Sequence, residues 1–365
     1  MDVSVGGAIA AVKEHLRELG RSCEPSVLAD RSNLVLALDS RSPDDAFVPS
    51  TSIARVAMAT SASRVGLAWL AREVEVASFL AGRGAPSTRP STELPPGPHE
   101  REGYVISYWA RESLVDDVAP EAKGRALADV HAALRDFLAE SAGSAADIST
   151  ESAGSAADFS TESAGSAADF STASAGSAAD FSTASAGSAA DVSTESAGSA
   201  ADFSTDRLPR LGAWEEARAM LPGLRASAWL DAESRDRVAR AWDRAEHVVA
   251  GAEARTASWQ AVHGDAHLGN VLATTRGALW TDWEDAFLGP VEWDLATLAS
   301  RHRLFGEEPT LPAVLAAYTG PYDAALVDEL LEARSLQAIV WLHLFAERDL
   351  SLRARVQARV DRLRG

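Results

Sequence analysis

Residues 262–270 read Val-His-Gly-Asp-Ala-His-Leu-Gly-Asn, and residues 280–286 read Trp-Thr-Asp-Trp-Glu-Asp-Ala. Between them, residues 271–273 and 278–281 are short apolar runs around a polar break at 275–277, a pattern that predicts a β-hairpin. Asp265, Asn270 and Asp282 then sit on loops flanking two short strands. Downstream, residues 292–305 and 323–350 carry the three- and four-residue apolar spacing of amphipathic helices. Upstream lie helical patterns at 214–220 and 232–250, and Leu127, Val130, Leu134, Phe137 and Leu138 mark another. Nearer the N-terminus, residues 33–38, 52–58 and 103–109 read as strands, 65–80 as a helix and 86–98 as a Pro-rich loop. The expected class is therefore α+β, a two-lobed arrangement: a small β-sheet lobe with one main helix at 1–110, then a larger, mostly helical lobe at 111–365.

An eleven-residue unit, Ser-Ala-Gly-Ser-Ala-Ala-Asp-(Phe/Ile/Val)-Ser-Thr-(Glu/Ala), repeats in tandem over 141–205. Each unit holds one glycine, a surplus of hydroxyl residues and one large apolar residue, a composition that favours disorder over a regular helix. The repeat is an insertion apart from the fold. It contains nine acidic and no basic residues, so of the formal charge of −19 about −10 belongs to the rest of the chain. That remainder weakly favours a cationic substrate, and it argues against a nucleic-acid partner, which needs a clustered basic surface. Lysine occurs only at Lys13 and Lys123; every other basic side chain, histidine aside, is arginine. One cysteine, Cys23, excludes an internal disulfide and fits a reducing compartment, and no apolar run is long enough to span a bilayer. A cytoplasmic protein without a membrane partner is expected.

Two aspartates and an asparagine on adjacent loops suit phosphoryl transfer, which needs a carboxylate to orient an attacking hydroxyl and hard oxygen ligands for Mg²⁺. Taken singly, Asp265 and Asp282 are also ordinary turn residues. His263, Asp265 and His267 have the alternating spacing of a hydrolase metal site, with no further His or Cys cluster to complete it. The segment 263–270 resembles the H-G-D-x-H-x-x-N loop of aminoglycoside phosphotransferases and choline kinase-like enzymes. Asp282-Trp283-Glu284-Asp285 resembles their D-W-E-x segment, and Gly289 with Glu292-Trp293-Asp294-Leu295-Ala296 resembles the G-x-x-x-x-D-L-A that follows.

That resemblance implies a protein kinase-like fold and an ATP-dependent phosphotransferase, with ATP or another nucleoside triphosphate and Mg²⁺ as cofactors. Its acceptor would be a small-molecule hydroxyl, aminoglycoside-, amino-sugar- or choline-like, and the chain a monomer or homodimer. It further implies that Asp265 is the catalytic base or hydroxyl-orienting group, that Asn270 and Asp282 hold metal, and that His263, also a catalytic candidate, braces the loop with Asp294; His267 would support it. Glu73 looks like the helix glutamate that pairs with a nucleotide-binding lysine, yet Arg55 stands where that lysine is expected. Arg55 and Glu73 also read as an edge-strand charge and a solvated helix residue. Asp30-Arg31-Ser32-Asn33 is the candidate phosphate loop, with Ser32 and Asn33 as contacts. Residues 107–110, including Ser107 and Trp109, occupy the place of an adenine-contacting hinge. Glu284, Asp285 and Trp341 are candidates for substrate contact, and His343, Phe345 and Glu347 lie beside Trp341 on the same helical stretch. A kinase-fold protein that binds nucleotide or ligand with little or no transfer is the alternative, motivated by the missing lysine.

Overall fold

Alternation along Ser52–Ala57 buries Ser52, Ala54 and Val56 on one side and leaves Ile53, Arg55 and Ala57 half-buried on the other. In the computed structural model, which describes residues 4–30, 33–41, 47–58, 67–137, 208–306 and 308–364, this strand is the centre of a five-stranded antiparallel sheet. The order is β1 (Ser26–Asp30), β2 (Asn33–Ala37), β5 (Ser52–Ala57), β7 (Tyr104–Ala110) and β6 (His99–Arg101). A separate two-residue ladder joins β3 (Ser40–Arg41) to β4 (Phe47–Val48). Ser32 and the repeat at 141–205 lie outside the described residues.

Among the described residues, the first 110 hold two helices where the sequence pattern predicted one. The additional helix, α1 (Val5–Glu18), packs Ala8, Ala11, Val12 and Leu16 with Leu34, Leu36, Val56 and Ile106 of the sheet. Two of its five buried residues are alanine and one is His15, and Gly6-Gly7 lie in its first turn, so its apolar signal is weak in sequence, and packing decides it. The Ser4 hydroxyl caps it by accepting from the Gly7 N–H at 3.1 Å. The helix α2 (Leu67–Gly82) carries Glu73, which meets Arg55 on the opposite side of β5 from α1.

Four short strands organise the chain around the quoted segment. β8 (Trp259–Val262) pairs antiparallel with β11 (Phe287–Pro290), Val262 opposite Phe287. Residues 263–286 are thus one excursion closed at its base. Inside it, β9 (Val271–Thr274) and β10 (Gly277–Trp280) form the expected hairpin, with Thr275 and Arg276 as a two-residue turn. Both hairpin edges are covered by backbone from earlier in the chain. The Trp280 N–H donates to Pro86 O and the Thr88 N–H to Trp280 O, both at 2.9 Å; the Val115 N–H donates to Ala273 O at 3.0 Å.

The remaining helices are α3 (Pro120–Leu134), α4 (Gly212–Arg225), α5 (Ala232–Arg255), α6 (Val291–Phe305), α7 (Leu311–Ala316), α8 (Ala324–Ala346) and α9 (Arg353–Val360). α8 packs against α4, α5, α6 and α9, which explains why it is apolar nearly all round. The single helix expected over 323–350 ends at Ala346. Asp349 then accepts from the Ser351 N–H at 3.0 Å, a local bond that favours a new turn over continued helix, and α9 follows. Among the described residues, no helix is long and apolar enough to cross a membrane.

Leu336 of α8 is fully buried in the main core. Leu336→Ala is expected to cost about 2 to 5 kcal/mol, the usual range for a truncated core leucine. Urea unfolding followed by tryptophan fluorescence measures it; a cost under 1 kcal/mol would mean that α8 is not the core element described.

Candidate active site

The loop after β8 is held from beneath by one buried carboxylate. Asp294, near the start of α6 and fully buried, accepts from the His263 N–H at 2.8 Å, the Gly264 N–H at 2.9 Å and His131 Nε2 at 2.9 Å. Trp293 Nε1 donates to Gly264 O at 3.0 Å. Gly264 has φ of +85°, and a Cβ there would lie 2.1 Å from Asp285 O, so only glycine lets the two loops approach. His263 is itself fully buried: Nε2 donates to Thr281 O at 2.9 Å, and Nδ1 lies 3.4 Å from the Asp265 N–H. Its ring therefore ties the first loop to the residue before Asp282.

Asn270 makes the second tie. Its Nδ2 donates to Asp265 O at 3.1 Å, and its backbone oxygen accepts from the Thr281 N–H at 3.1 Å. Thr281 is consequently bonded at both its N–H and its carbonyl, and Asp282 follows in a left-handed conformation (φ 71°, ψ 59°) that aspartate tolerates better than most residues.

Asp282 faces an arginine. Arg55 Nη2 lies 2.6 Å from Asp282 Oδ1 and 2.9 Å from Glu284 Oε2, while Nη1 pairs with Glu73. With its amide oxygen turned to the guanidinium, Asn33 accepts from Arg55 Nε at 3.2 Å. β5 is the middle strand of its sheet, so Arg55 is not an edge-strand charge, and Glu73, 1% exposed, is not a solvated one. One guanidinium serves three carboxylates. Burial first, and then Asp282, push the Glu284 carboxyl up to about 8; burial likewise raises Glu73 against the pull of Arg55.

Asp265 has a different neighbourhood. Arg334 of α8 donates from Nη2 to its Oδ1, and His267 Nε2 lies 3.3 Å from its Oδ2. Burial opposes its charge, but Arg334 and then His267 hold the carboxyl well below the usual range, so it is ionised at neutral pH. His267 is oriented in turn by the Gly269 N–H, which donates to Nδ1 at 3.0 Å. A cavity of about 170 Å³ adjoins this pair; His267 and Arg334 line it together with Arg301, Arg355 and Arg359.

This geometry agrees with what sequence comparison finds. The profile of the phosphotransferase enzyme family (APH) matches residues 63–333, most of the chain. The chain belongs to that family. No curated protein matches it in sequence. Among solved structures, a choline/ethanolamine kinase family protein from Mesorhizobium loti is similar at 16% identity over 98% of this chain and 92% of that one, with a TM-score of 0.54. The amicoumacin kinase hAmiN, in complex with AMP-PNP, Ca²⁺ and Ami, is 12% identical over 98% and 96%, TM-score 0.56. A phosphotransferase, APH(2")-IIia, bound to GDP and kanamycin is 13% identical over 98% and 97%, TM-score 0.56. At these identities the likeness establishes a shared, kinase-like fold.

In this phosphotransferase the residues proposed from sequence fall into two groups. His263, Asp265, His267, Asn270, Asp282 and Asp294 form one connected network, and Arg55, Glu73, Asn33 and Glu284 join it through Asp282. Glu284 thus faces Arg55. Residues 107–110 are not a free hinge: they end β7, the Tyr108 N–H donates to Pro96 O and the Ala110 N–H to Arg89 O, and the Ser107 hydroxyl accepts from Trp109 Nε1. Trp341 stacks near Phe345, and the cavity wall on α8 is instead Arg334, Ser335 and Ala338, up to two turns earlier. Neither Trp341, Glu284 nor Asp285 lines that cavity. Sequence reasoning missed Arg334, whose link to Asp265 spans 69 positions, and His131, which bonds both Asp294 and Tyr318.

A carboxyl whose folded pKa is raised stabilises the fold fully below its unfolded value, near 4.5, and that contribution is lost as pH rises toward about 8. In metal-free buffer the melting temperature of Glu284→Gln relative to the native chain should therefore climb across that window. Thermal unfolding at several pH values checks it; a constant difference would remove the strained-carboxylate account.

Proposed function

We propose that the chain transfers the terminal phosphoryl group of a nucleoside triphosphate, ATP in the first instance, to a hydroxyl of a small molecule. The observation that carries this reading is the network through Asn270, which couples the Asp265 loop to the Asp282 loop while leaving the Asp265 carboxylate beside a cavity. Family membership supports phosphotransfer as the reaction class, and the AMP-PNP and GDP held by two fold relatives support a nucleotide donor.

Asp265 is the proposed catalytic residue. Its ionised carboxylate accepts a hydrogen bond from the acceptor hydroxyl and points the oxygen at the phosphorus. As the new O–P bond forms, the bond from phosphorus to the bridging oxygen breaks, the nucleoside diphosphate leaves with the electron pair, and the hydroxyl proton passes by way of Asp265 to water. The depressed pKa suits this role, because phosphoryl transfer with a loose transition state needs orientation more than strong base assistance. His263, His267 and Asp294 act as positioning residues: each bonds the loop that presents Asp265.

Asn270 and Asp282 would hold Mg²⁺. The fit rests on donor chemistry: hard oxygens, and three carboxylates with one guanidinium among them, an excess of negative charge that a divalent cation offsets. Among the described residues no three His, Cys, Asp or Glu side chains form a complete cage, which suits an ion that keeps several waters and phosphate oxygens. When bound, Mg²⁺ neutralises phosphate charge.

A second reading, ligand binding with little transfer, is favoured by one observation: Arg55 bridges Asp282 and Glu284, where metal or phosphate would compete with it. A lysine offers no planar fork to span two carboxylates. If Arg55 contacts phosphate, Arg55→Lys should change the KM for ATP; an unchanged KM and kcat would assign Arg55 to fold maintenance alone.

Asp265→Asn should lower kcat by roughly 10²- to 10⁴-fold while nucleotide affinity, read by isothermal titration with Mg-AMP-PNP, is retained. Undiminished turnover in that variant would end the assignment of Asp265.

A further inference from the structure

The wall of the cavity beside Asp265 is cationic. Arg301 of α6, Arg334 of α8, and Arg355 and Arg359 of α9 converge on it, with Thr297 and Ser300 supplying hydroxyls. Four guanidiniums around about 170 Å³, a lining without a single Asp or Glu among the described residues, make a site that repels ammonium groups. Arg334 has Asp265 as its carboxylate partner, and Arg301 has Glu308 at 3.7 Å. Among the described residues Arg355, which is exposed, makes no ion pair, and the buried Nε of Arg334 has no hydrogen-bond partner. Guanidinium forks set to converge from three helices match the planar, bidentate geometry of carboxylate and phosphate.

We infer that the acceptor is a small anionic hydroxyl compound, a hydroxycarboxylate or a sugar phosphate, whose anionic group docks on Arg355, Arg359 and Arg301 while its hydroxyl reaches Asp265. The inference rests on the phosphotransfer reading and adds the charge and size of the substrate. It reverses the expectation of a cationic acceptor drawn from the chain's overall negative charge. Total charge sets the distant field, but recognition is decided by groups within a few ångströms of the ligand, where screening by water and salt is least. Size points the same way, since the cavity lies below the roughly 300 Å³ at which drug-sized ligand sites begin. Arg334 lines the cavity while its Nη2 holds Asp265 and its Nη1 holds Gln337, so the guanidinium surface offered to an anion comes from α6 and α9.

The test uses the full-length chain with Mg-ATP and five probes: glycerate and glucose 6-phosphate as anions, choline and glucosamine as cations, and glycerol as the neutral control. ADP release above the acceptor-free rate and ³¹P NMR of the product report transfer. Titration calorimetry without nucleotide reports binding. Transfer to, or nucleotide-independent binding of, an anionic probe is expected, with KM or Kd raised about tenfold or more by Arg355→Glu. A preference for glycerate identifies a carboxylate acceptor, and for glucose 6-phosphate a phosphorylated one. Arg355 is exposed, so its reversal should leave the melting temperature near that of the native chain; Arg355→Gln, with the same expected direction, serves if it does not. Transfer confined to choline or glucosamine would overturn the anionic acceptor while leaving phosphotransfer standing. Binding of an anionic probe without transfer to any compound would overturn the reaction and keep the anion site. Neither binding nor transfer of an anionic probe would overturn the inference.

Discussion

The guanidinium of Arg55 ties the five-stranded sheet to α2 and to the loop after β10. It reaches from the central strand of the sheet to Glu73 on α2 and, across more than two hundred residues of chain, to Asp282 and Glu284. Three carboxylates meet one cation there, and burial first, then the neighbouring Asp282, pushes the Glu284 carboxyl up. The strain is tolerated because the loops carrying these groups are fixed independently, by the β8/β11 pair at their base and by Asp294 beneath. A centre held in this way carries an excess of negative charge that a bound divalent cation would offset in the proposed reaction.

Much of this centre was legible in the sequence, and the reason is its locality. His263 to Asp294 is a short span in which turn chemistry, a two-residue hairpin and a helix start specify each other, so spacing alone places Asp265, Asn270 and Asp282 close together. β2, β5, β7 and α2 were legible for the same reason, each a β-favouring or alternating run or a helical period, whereas the short edge strands β1 and β6 were not. Pairings set by tertiary packing were not. Arg334 sits in a helix that reads as uniformly apolar core, and nothing in its neighbours marks it as the partner of Asp265. The place of β5 in the middle of the sheet, which changes the meaning of Arg55, depends on strand order and not on its own residues.

Net charge says little about the cavity. Nine of the acidic residues lie in a repeat outside the described residues, and others, Glu73, Glu292 and Asp294 among them, are buried in the fold, whereas four arginines gather at one cavity. Solved structures that share the architecture, one of them bound to kanamycin, have under a fifth of their residues identical to this chain, so the architecture leaves acceptor chemistry open.

Every permanent cation at this centre is a guanidinium; the two lysines, paired with Glu24 and Asp117, lie elsewhere. A lysine amine discharges near 10.4, but a guanidinium does not release its proton at any pH the fold could survive. Base therefore does not silence the centre by discharging its guanidiniums, and an alkaline decline would originate in its histidines or carboxyls, in the ligand, or in loss of the fold itself.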